Sequence, residues 1–591
     1  MIKQKQYADS SLKNGVLNKL QIAIAEKANT QKDQYRFDWS PFVLVGIVAM
    51  VLVMYLRLYF GVDTADEGFY LAMPYLFARG GQPFVHEWVA QQGAAVVFAP
   101  FVKIYISLVG STDGLVLFGR HAYFLVSVFA SWGIWRLCRQ FLTPVVALFP
   151  ALLPIVFHVG GIPNLSYNSQ GALGWLLGLG FLYSSYFPFA TGGIAAFAGA
   201  SLLVIASFSY PSLSAIAALV LCLSYLFPPS PEGLKELDAV HKKHRIRIML
   251  GSFLIAIPLL YVTFKDGFQP LLTSYEYASS TPGQGGGYDK IVRQVEKIGL
   301  SWRYGALVLS LLIFSAAPSF SKRWRRFSII ASSILLIPGF VALEQVWHER
   351  NIGDSGVFVI WLGLLSPVLY FFRPDRNDLK HLLVIWPLSL LAGLITAWTS
   401  REWVQGALGL MPAAVLSLYF VVRTWNVPVY AIRSVPVFLL LICIAAPQFL
   451  RVYQESPLID LRTRIASGPY QGLFTGGWKS SVINKLKEGL ALVSAGRSSL
   501  FIINSDNPGI YLMSALKPSG PTVWVSNQVP IQLQIRMFQD YFALPFHLPD
   551  VIMVMNGQGN EAHPLTSWLL EKGYEKQIDD HSYRIYVKTP T

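Results

Sequence analysis

Apolar residues in this chain come in runs about as long as a bilayer is thick, separated by short polar connections. A helix needs about 20 mostly apolar residues to cross hydrocarbon, where only a helix satisfies its own backbone polar groups within one segment. Pro41 to Phe60 is the first such run, followed by runs near 115 to 135, 144 to 158, 169 to 187, 192 to 209, 211 to 227 and 249 to 264. A second series lies near 303 to 318, 328 to 343, 355 to 372, 382 to 398, 405 to 422 and 434 to 450. The pattern predicts a polytopic α-helical membrane protein of about 13 transmembrane helices. Beyond residue 450 the period changes. Leu500 to Ile503, Thr522 to Val525, Val551 to Met555 and Tyr583 to Val587 read as strands, alternating with helical stretches at 478 to 495 and 530 to 543. The expected organisation is a polar tail at 1–40, a transmembrane domain at 41–450 with long outer loops at 61–113 and 265–301, and a soluble α/β domain at 451–591.

Composition agrees with a lipid environment. The chain has 591 residues, 53% hydrophobic and 14% charged, too apolar for a soluble protein of that length. The net charge of +14 does not point to nucleic acid, because the basic residues sit in short clusters between apolar runs. Those clusters set the topology. If the ambiguous stretch Ala94 to Val109, which carries Lys103 mid-run, does not cross, then the tail, Arg136/Arg139, Lys242 to Arg247, Lys322 to Arg326, Arg373/Arg376/Lys380 and Arg423/Arg433 all share one side. Ala94 to Val109 is therefore read as juxtamembrane or re-entrant. The expected location is the inner (cytoplasmic) membrane, with the N-terminus cytoplasmic and the C-terminal domain periplasmic or extracellular. The tail shows no small-residue cleavage pattern, so no cleaved signal peptide is expected. Cys138, Cys222 and Cys443 have the spacing of neither a metal site nor a disulfide framework.

Chemistry concentrates in the first outer loop, Asp63-Thr-Ala-Asp66-Glu67-Gly-Phe-Tyr70, followed by Gly80-Gly-Gln-Pro83 and His86-Glu87-Trp88. A single loop acid would merely face water. Three acids at a membrane exit, ahead of an aromatic stretch, suit accepting a proton from a hydroxyl or holding a divalent cation.

Asp66-Glu67-Gly-Phe-Tyr70 resembles the first-loop Asp-Glu-x-x-Tyr motif of the GT-C membrane glycosyltransferases, in particular the protein O-mannosyltransferase and aminoarabinose transferase branch. The likeness extends through Gly80 to Pro83, Arg120 at the start of the next span, the thirteen-span plan and the terminal α/β domain. It implies that Asp66, with Glu67 beside it, is the catalytic or metal-associated acid and that the donor is a polyprenyl-phosphate-linked sugar; Asp66 and Glu349 are the candidate ligands for a divalent metal (Mg or Mn). The second outer loop departs from the family pattern. It offers Asn164 and Asn168 in place of an acid, and these amides suit either sugar hydrogen bonding or helix capping.

Other loops leave two readings open. Trp347-His348-Glu349-Arg350 is either a set of paired, snorkelling charges or a donor site in which His348 or Glu349 binds a cation and Arg350 neutralises a departing phosphate. Arg401 either grips phosphate or anchors at the interface with Trp403. Lys265 joins His348, Arg350 and Arg401 as a phosphate-binding candidate. Tyr70, His86, Glu87, Asn164, Asn168 and Tyr275 are the acceptor- or sugar-binding candidates, although the loop carrying Tyr275 also reads as merely mobile. The expected activity is inverting sugar transfer from a polyprenyl-phosphate lipid donor to the hydroxyl of a lipid, glycan or protein acceptor at the outer face, with membrane lipid as partner and no nucleic acid. The alternatives are a transporter or flippase, which would need midspan charges and usually repeats, and a non-catalytic scaffold.

Overall fold

The computed structural model of the chain describes residues 41–89, 91–186, 192–228, 237–265, 267–279, 288–317, 321–349, 354–372, 375–400, 403–425, 430–450, 452, 454–503, 506–525, 529–543, 548–555 and 564–589. The expected tail at 1–40 lies outside them. The apolar part is helical throughout: α1 (Pro41–Arg57), α2 (Asp66–Ala78), α3 (Gly93–Val109), α4 (Leu115–Cys138), α5 (Leu148–Ala151), α6 (Leu153–Val156), α7 (Tyr167–Ser184), α8 (Gly192–Ser209), α9 (Ser214–Leu226), α10 (Leu237–Phe264), α11 (Gln269–Ser279), α12 (Tyr288–Leu300), α13 (Trp302–Ala316), α14 (Lys322–Glu349), α15 (Asp354–Leu364), α16 (Ser366–Tyr370), α17 (Arg376–Thr399), α18 (Gly406–Arg423), α19 (Tyr430–Ala445) and α20 (Pro447–Leu450).

Among the described residues five helices are long and apolar enough to cross a membrane, or six if α12 and α13, bent by 53° at their junction, count as one span. Shorter apolar helices of 10–17 residues make up much of the remainder. The thirteen expected spans are thus not matched by thirteen full-length helices, and proline explains part of the difference. Residues 144 to 158 fold as the two four-residue helices α5 and α6 around Pro150 and Pro154, and 355 to 372 divides into α15 and α16 just before Pro367. A proline removes a helix hydrogen bond and crowds the preceding turn.

Helix packing relies on small residues. α7 is buried on nearly every side, starts from a capping box in which Ser166 and Ser169 satisfy each other's backbone N–H, and donates from Trp175 Nε1 to the Gly409 carbonyl on α18 at 3.0 Å. A Cβ on Gly409 would lie 2.2 Å from the Ala392 carbonyl carbon of α17, so α17 and α18 approach as closely as backbones allow. α3 buries Ala94, Ala95, Phe98 and Val102 and leaves Phe101, Ile104 and Leu108 outward.

The C-terminal residues form a mixed sheet: β3 (Ser499–Ile503), β4 (Lys517–Pro518), β5 (Val551–Met555), β6 (Tyr574–Asp579) and β7 (Tyr583–Lys588), in the order β4-β3-β5-β7-β6. A separate antiparallel pair, β1 (Thr463–Arg464) and β2 (Phe474–Thr475), precedes it. β3 runs parallel to β4 and β5, with Leu500 beside Val551, while β5/β7 and β7/β6 are antiparallel. Alternation along β3 separates the faces. Leu500 and Ile502 share a core with Leu486 and Leu490 of α21 (Gly477–Ser494), while Phe501 and Ile503 share one with Phe538 and Phe542 of α22 (Ile531–Phe542). The expected helices appear here, and so do three of the four expected strands. Thr522 to Val525 is not a strand; its polar backbone is engaged by the first loop, as described below. β6 carries a mostly polar, exposed pattern and lacks the apolar run that marks β3, β5 and β7 in the sequence.

Gly409→Val is expected to push α17 from α18 and cost about 1–3 kcal/mol of stability, read as a lower unfolding midpoint of the purified protein, with Gly409→Ala intermediate. An unchanged midpoint would show that the two helices separate without penalty.

Candidate functional site

The site is built where α1 ends. The chain leaves α1 through a tight turn in which Leu58, Tyr59 and Phe60 donate to the carbonyls of Tyr55, Leu56 and Arg57, so the carbonyls of the turn itself need other donors. Arg120, projecting from the first turns of α4 and itself buried, donates through Nη1 to the carbonyls of Leu58 (2.6 Å) and Phe60 (3.1 Å) and through Nη2 to that of Gly61 (2.8 Å). Its remaining donors grip Glu67: Nε to Oε1 at 2.7 Å and Nη2 to Oε2 at 2.6 Å. Asn164 Nδ2 adds a bond to Glu67 Oε1 at 3.0 Å. Arg57 closes the same helix end from the other side, reaching the carbonyls of Phe60 (2.6 Å) and Gln448 (2.8 Å).

The three carboxylates of the first loop therefore divide by role. Asp63 is buried and caps α2 from three residues before its start, accepting from the backbone N–H of Ala65 (2.8 Å) and Glu67 (2.7 Å). Burial, reinforced by the neighbouring charge of Asp66, pushes its carboxyl up to about 7. Glu67 is spent on Arg120 and Asn164. Asp66, the first residue of α2, keeps solvent-accessible surface. One turn on, Tyr70 stands edge-on to Tyr167 (5.6 Å), which lies against Tyr210 (5.9 Å), and Asn168 Nδ2 reaches the Tyr70 hydroxyl at 3.4 Å. Phe69 meets Trp524 of the C-terminal part at 4.9 Å. An acid thus opens a helix beside a wall of aromatic rings.

The C-terminal part lines this loop directly. Val62 N–H donates to Glu455 (3.0 Å), Thr64 Oγ1 to Asn507 (2.6 Å), and Gly509 N–H to the Thr64 carbonyl (2.9 Å). The approach is close enough that a Cβ on Gly68 would lie 2.5 Å from the Gly509 nitrogen. Tyr470 is wholly buried beside this cluster and its hydroxyl has no hydrogen-bond partner among the described residues. Burial, with the charges of Asp63 and Glu67, raises its ionisation well above that of an ordinary tyrosine. Lys479 sits 3.9 Å from Glu455, and burial lowers its pKa despite the attraction of Glu455, Asp63 and Glu67. Further along the loop, Glu87 is fully buried and accepts from Thr522 Oγ1 (2.6 Å), Val523 N–H (2.9 Å) and Val89 N–H (3.0 Å). Desolvation outweighs these bonds and lifts its carboxyl to about 7. This is the contact that takes 522 to 525 out of the sheet.

Of the sequence-derived candidates, Asp66, Glu67, Tyr70, Asn164 and Asn168 come together. Asn164 and Asn168 are not the caps of α7, a role Ser166 fills; both are buried and turned to α2 residues. Glu87, expected among the sugar-binding residues, is buried in the seam between loop and sheet domain, bonded to Thr522, Val523 and Val89. His86 accepts from Gln82 N–H through Nδ1 at 3.1 Å within its own loop. Lys265 is exposed at the end of α10, and Tyr275 is 71% exposed on the side of α11 opposite buried Ser274 and Tyr277. Arg350 and Arg401, and the side chains of His348 and Glu349, lie outside the described residues. Arg57 and Arg120 had a sequence signal, isolated charges at the edges of apolar runs. Glu455, Tyr470, Lys479 and Trp524 had none. The side chain of Glu349, one of the two expected ligands of a divalent cation, lies outside the described residues. Asp63 and Glu67 are committed to backbone N–H groups and to Arg120, and among the described residues no three His, Cys, Asp or Glu side chains cluster as ligands.

No family model and no curated protein matches the chain. Solved structures do resemble it, and they include GT-C superfamily membrane glycosyltransferases. The archaeal oligosaccharyltransferase AglB from Archaeoglobus fulgidus, in complex with an inhibitory peptide and a dolichol-phosphate, is 10% identical with a TM-score of 0.44, over 87% of this chain and 69% of that one. ArnT from Cupriavidus metallidurans, bound to undecaprenyl phosphate, is 13% identical with a TM-score of 0.40, over 94% and 100%. The same archaeal oligosaccharyltransferase in complex with Zn and sulfate is 13% identical at 0.42, over 92% and 73%. At such identities and scores, function is read from this chain's own residues.

Two outcomes are expected. Arg120→Met leaves Glu67 buried without its cation and should cost about 3–5 kcal/mol, seen as loss of folded protein that Arg120→Met/Glu67→Gln partly restores; equal yields of single and double variants would contradict the pairing. The second concerns pH. Asp63 and Glu87 bind protons more tightly folded, near pH 7, than unfolded, near the ordinary carboxyl value of about 4. Their contribution is complete below about pH 4 and is lost as pH rises through about 7. The unfolding midpoint of Glu87→Gln should therefore fall less than that of the parent between those limits; identical slopes would rule Glu87 out as a source.

Proposed function

We propose that the chain is a glycosyltransferase that moves a sugar from a polyprenyl-phosphate lipid to an acceptor hydroxyl at the outer boundary of the inner membrane. One observation carries the reading: the first-loop motif is folded so that Asp63 and Glu67 are spent on capping and on Arg120, while Asp66 alone of the three keeps accessible surface, on the helix turn whose Phe69 and Tyr70 meet Trp524 and Tyr167.

In this mechanism the Asp66 carboxylate takes the proton of the acceptor hydroxyl as its oxygen attacks the anomeric carbon. The bond from that carbon to the phosphate oxygen breaks with its electron pair, polyprenyl phosphate departs, and a single displacement inverts the centre. The aromatic wall offers flat faces to sugar rings, and Asn168 with Tyr70 offers hydrogen bonds to hydroxyls. Arg350 and Arg401 are the candidates for neutralising the departing phosphate, with His348 and Lys265 as further polar partners. A site at the bilayer edge lets an isoprenoid stay in lipid while its sugar reaches water. Placing this face outside follows from the clustering of Lys and Arg in the opposite loops.

Asp66→Asn should lower transfer by about 10²- to 10⁴-fold, measured in proteoliposomes with polyprenyl-phosphate sugars and acceptors extracted from the native envelope, at unchanged unfolding midpoint. Undiminished transfer by Asp66→Asn would sink the proposed base.

A further inference from the structure

Two helices in the segment that links α10 to α13 turn their apolar stripes away from the protein. On α11, Ser274 and Tyr277 face inward: Ser274 Oγ donates to the Trp88 carbonyl at 2.7 Å, and Tyr277 packs on the Trp88 ring at 5.7 Å. The outward side carries Leu272 and Tyr275, and Phe268 just before the helix, at the i, i+4, i+7 spacing of one face; all three are exposed. α12 repeats the inversion. Lys290, Gln294 and Ile298 are its half-buried side, and Gln294 Nε2 donates to the Ala397 carbonyl at the end of α17, whereas Val292, Val295 (60% exposed) and Leu300 point out. A loop helix bathed in water buries its apolar stripe. Here Ser274 with Tyr277, and Lys290, Gln294 and Ile298, take the inner side, while the large apolar residues Phe268, Leu272, Val292 and Val295 stay exposed.

What covers the stripes is indicated by the elements they join. α12 runs through a 53° bend into α13, an apolar helix, so it leaves the direction of a membrane-crossing segment without leaving its vicinity. At the bend stands Trp302, 51% exposed, an amphipathic ring suited to headgroup depth. Among the described side chains of α12, exposed Arg293 and Lys297 follow one flank of the stripe, and exposed Glu296 lies one turn from both Val292 and Leu300. An apolar face bordered by long cationic side chains suits phospholipid, with stems in the acyl boundary and heads on phosphate.

We propose that α11 and α12 lie in the headgroup layer on the side of the first loop, their stripes facing acyl chains and Arg293 and Lys297 contacting phospholipid phosphates. Because the inner side of α11 holds Trp88, and Trp88 packs on Phe538 and Tyr541 of α22 at 6.1 and 5.9 Å, the bilayer surface then fixes the height of both the first loop and the C-terminal sheet domain. This docking is independent of the sugar-transfer reading.

The test is depth measurement by spin label. With Cys222 and Cys443 replaced by Ala, nitroxides are placed through Leu272→Cys, Val295→Cys and, as a control on α21, Leu492→Cys, in nanodiscs of phosphatidylcholine and phosphatidylglycerol. Labels at 272 and 295 should be open to oxygen and shielded from a water-soluble nickel chelate, and the label at 492 open to nickel. Nickel accessibility at 272 and 295 equal to that at 492 overturns the docking. Shielding from both reagents would mean a second protein copy covers the stripe, which also overturns it. Arg293→Glu/Lys297→Glu should shift the 295 label toward nickel; no shift removes the phosphate contact. Hydrogen exchange of 288–300 on the unlabelled protein, expected to slow from detergent to nanodisc, guards against a label that merely disturbs the helix, and equal exchange in both counts against the proposal.

Discussion

The structure turns on one guanidinium. Arg120 uses all five of its N–H groups: three on the carbonyls of Leu58, Phe60 and Gly61 just past the end of α1 and two on the carboxylate of Glu67. Without it the exit of the first helix would leave orphan carbonyls in a buried place, and Glu67 would be an unpaired buried charge. A lysine has three donors on a single point and cannot serve both partners. The planar fork fixes the end of one helix and the beginning of the next at once, and in doing so sets the position of Asp66.

From that fixed point the rest of the site follows by exclusion and contact. Glu67 turns inward, so the residue before it turns elsewhere. The cap by Asp63 holds the first turn of α2, and the glycine pair Gly68 and Gly509 lets the C-terminal part come within backbone contact of the same turn. The two regions form one seam. Its acids, Asp63 and Glu87, are held by backbone N–H groups and hydroxyls without a cation in hydrogen-bonding contact, which is why burial dominates their ionisation.

The membrane character, the helical class, the change to α/β structure after residue 450 and the importance of the first loop were legible in residue order, because hydrophobic period and clustered acids are local properties. The number of full-length spans was less legible: apolar length does not reveal where Pro150, Pro154 or Pro367 will divide a helix. The roles of Glu67 and Glu87 were not legible. An acid in a loop looks available, and only the fold shows that Arg120 or Thr522 has claimed it. Val523 and its neighbours, alternating and β-branched, looked like a strand for the same reason, since their actual partner, Glu87, lies more than 400 positions away.

That distance has a consequence for how the chain is made. The first loop is bonded to Glu455, Asn507 and Thr522 across separations of 393, 443 and 435 residues. At synthesis rates of 5–20 residues per second, about 20–90 s pass between the emergence of Val62 and that of its last partners. Through that interval the loop must wait with Asp63 and Glu87 still hydrated and the aromatic rings of Phe69 and Trp88 uncovered. The polypeptide completes its first loop last.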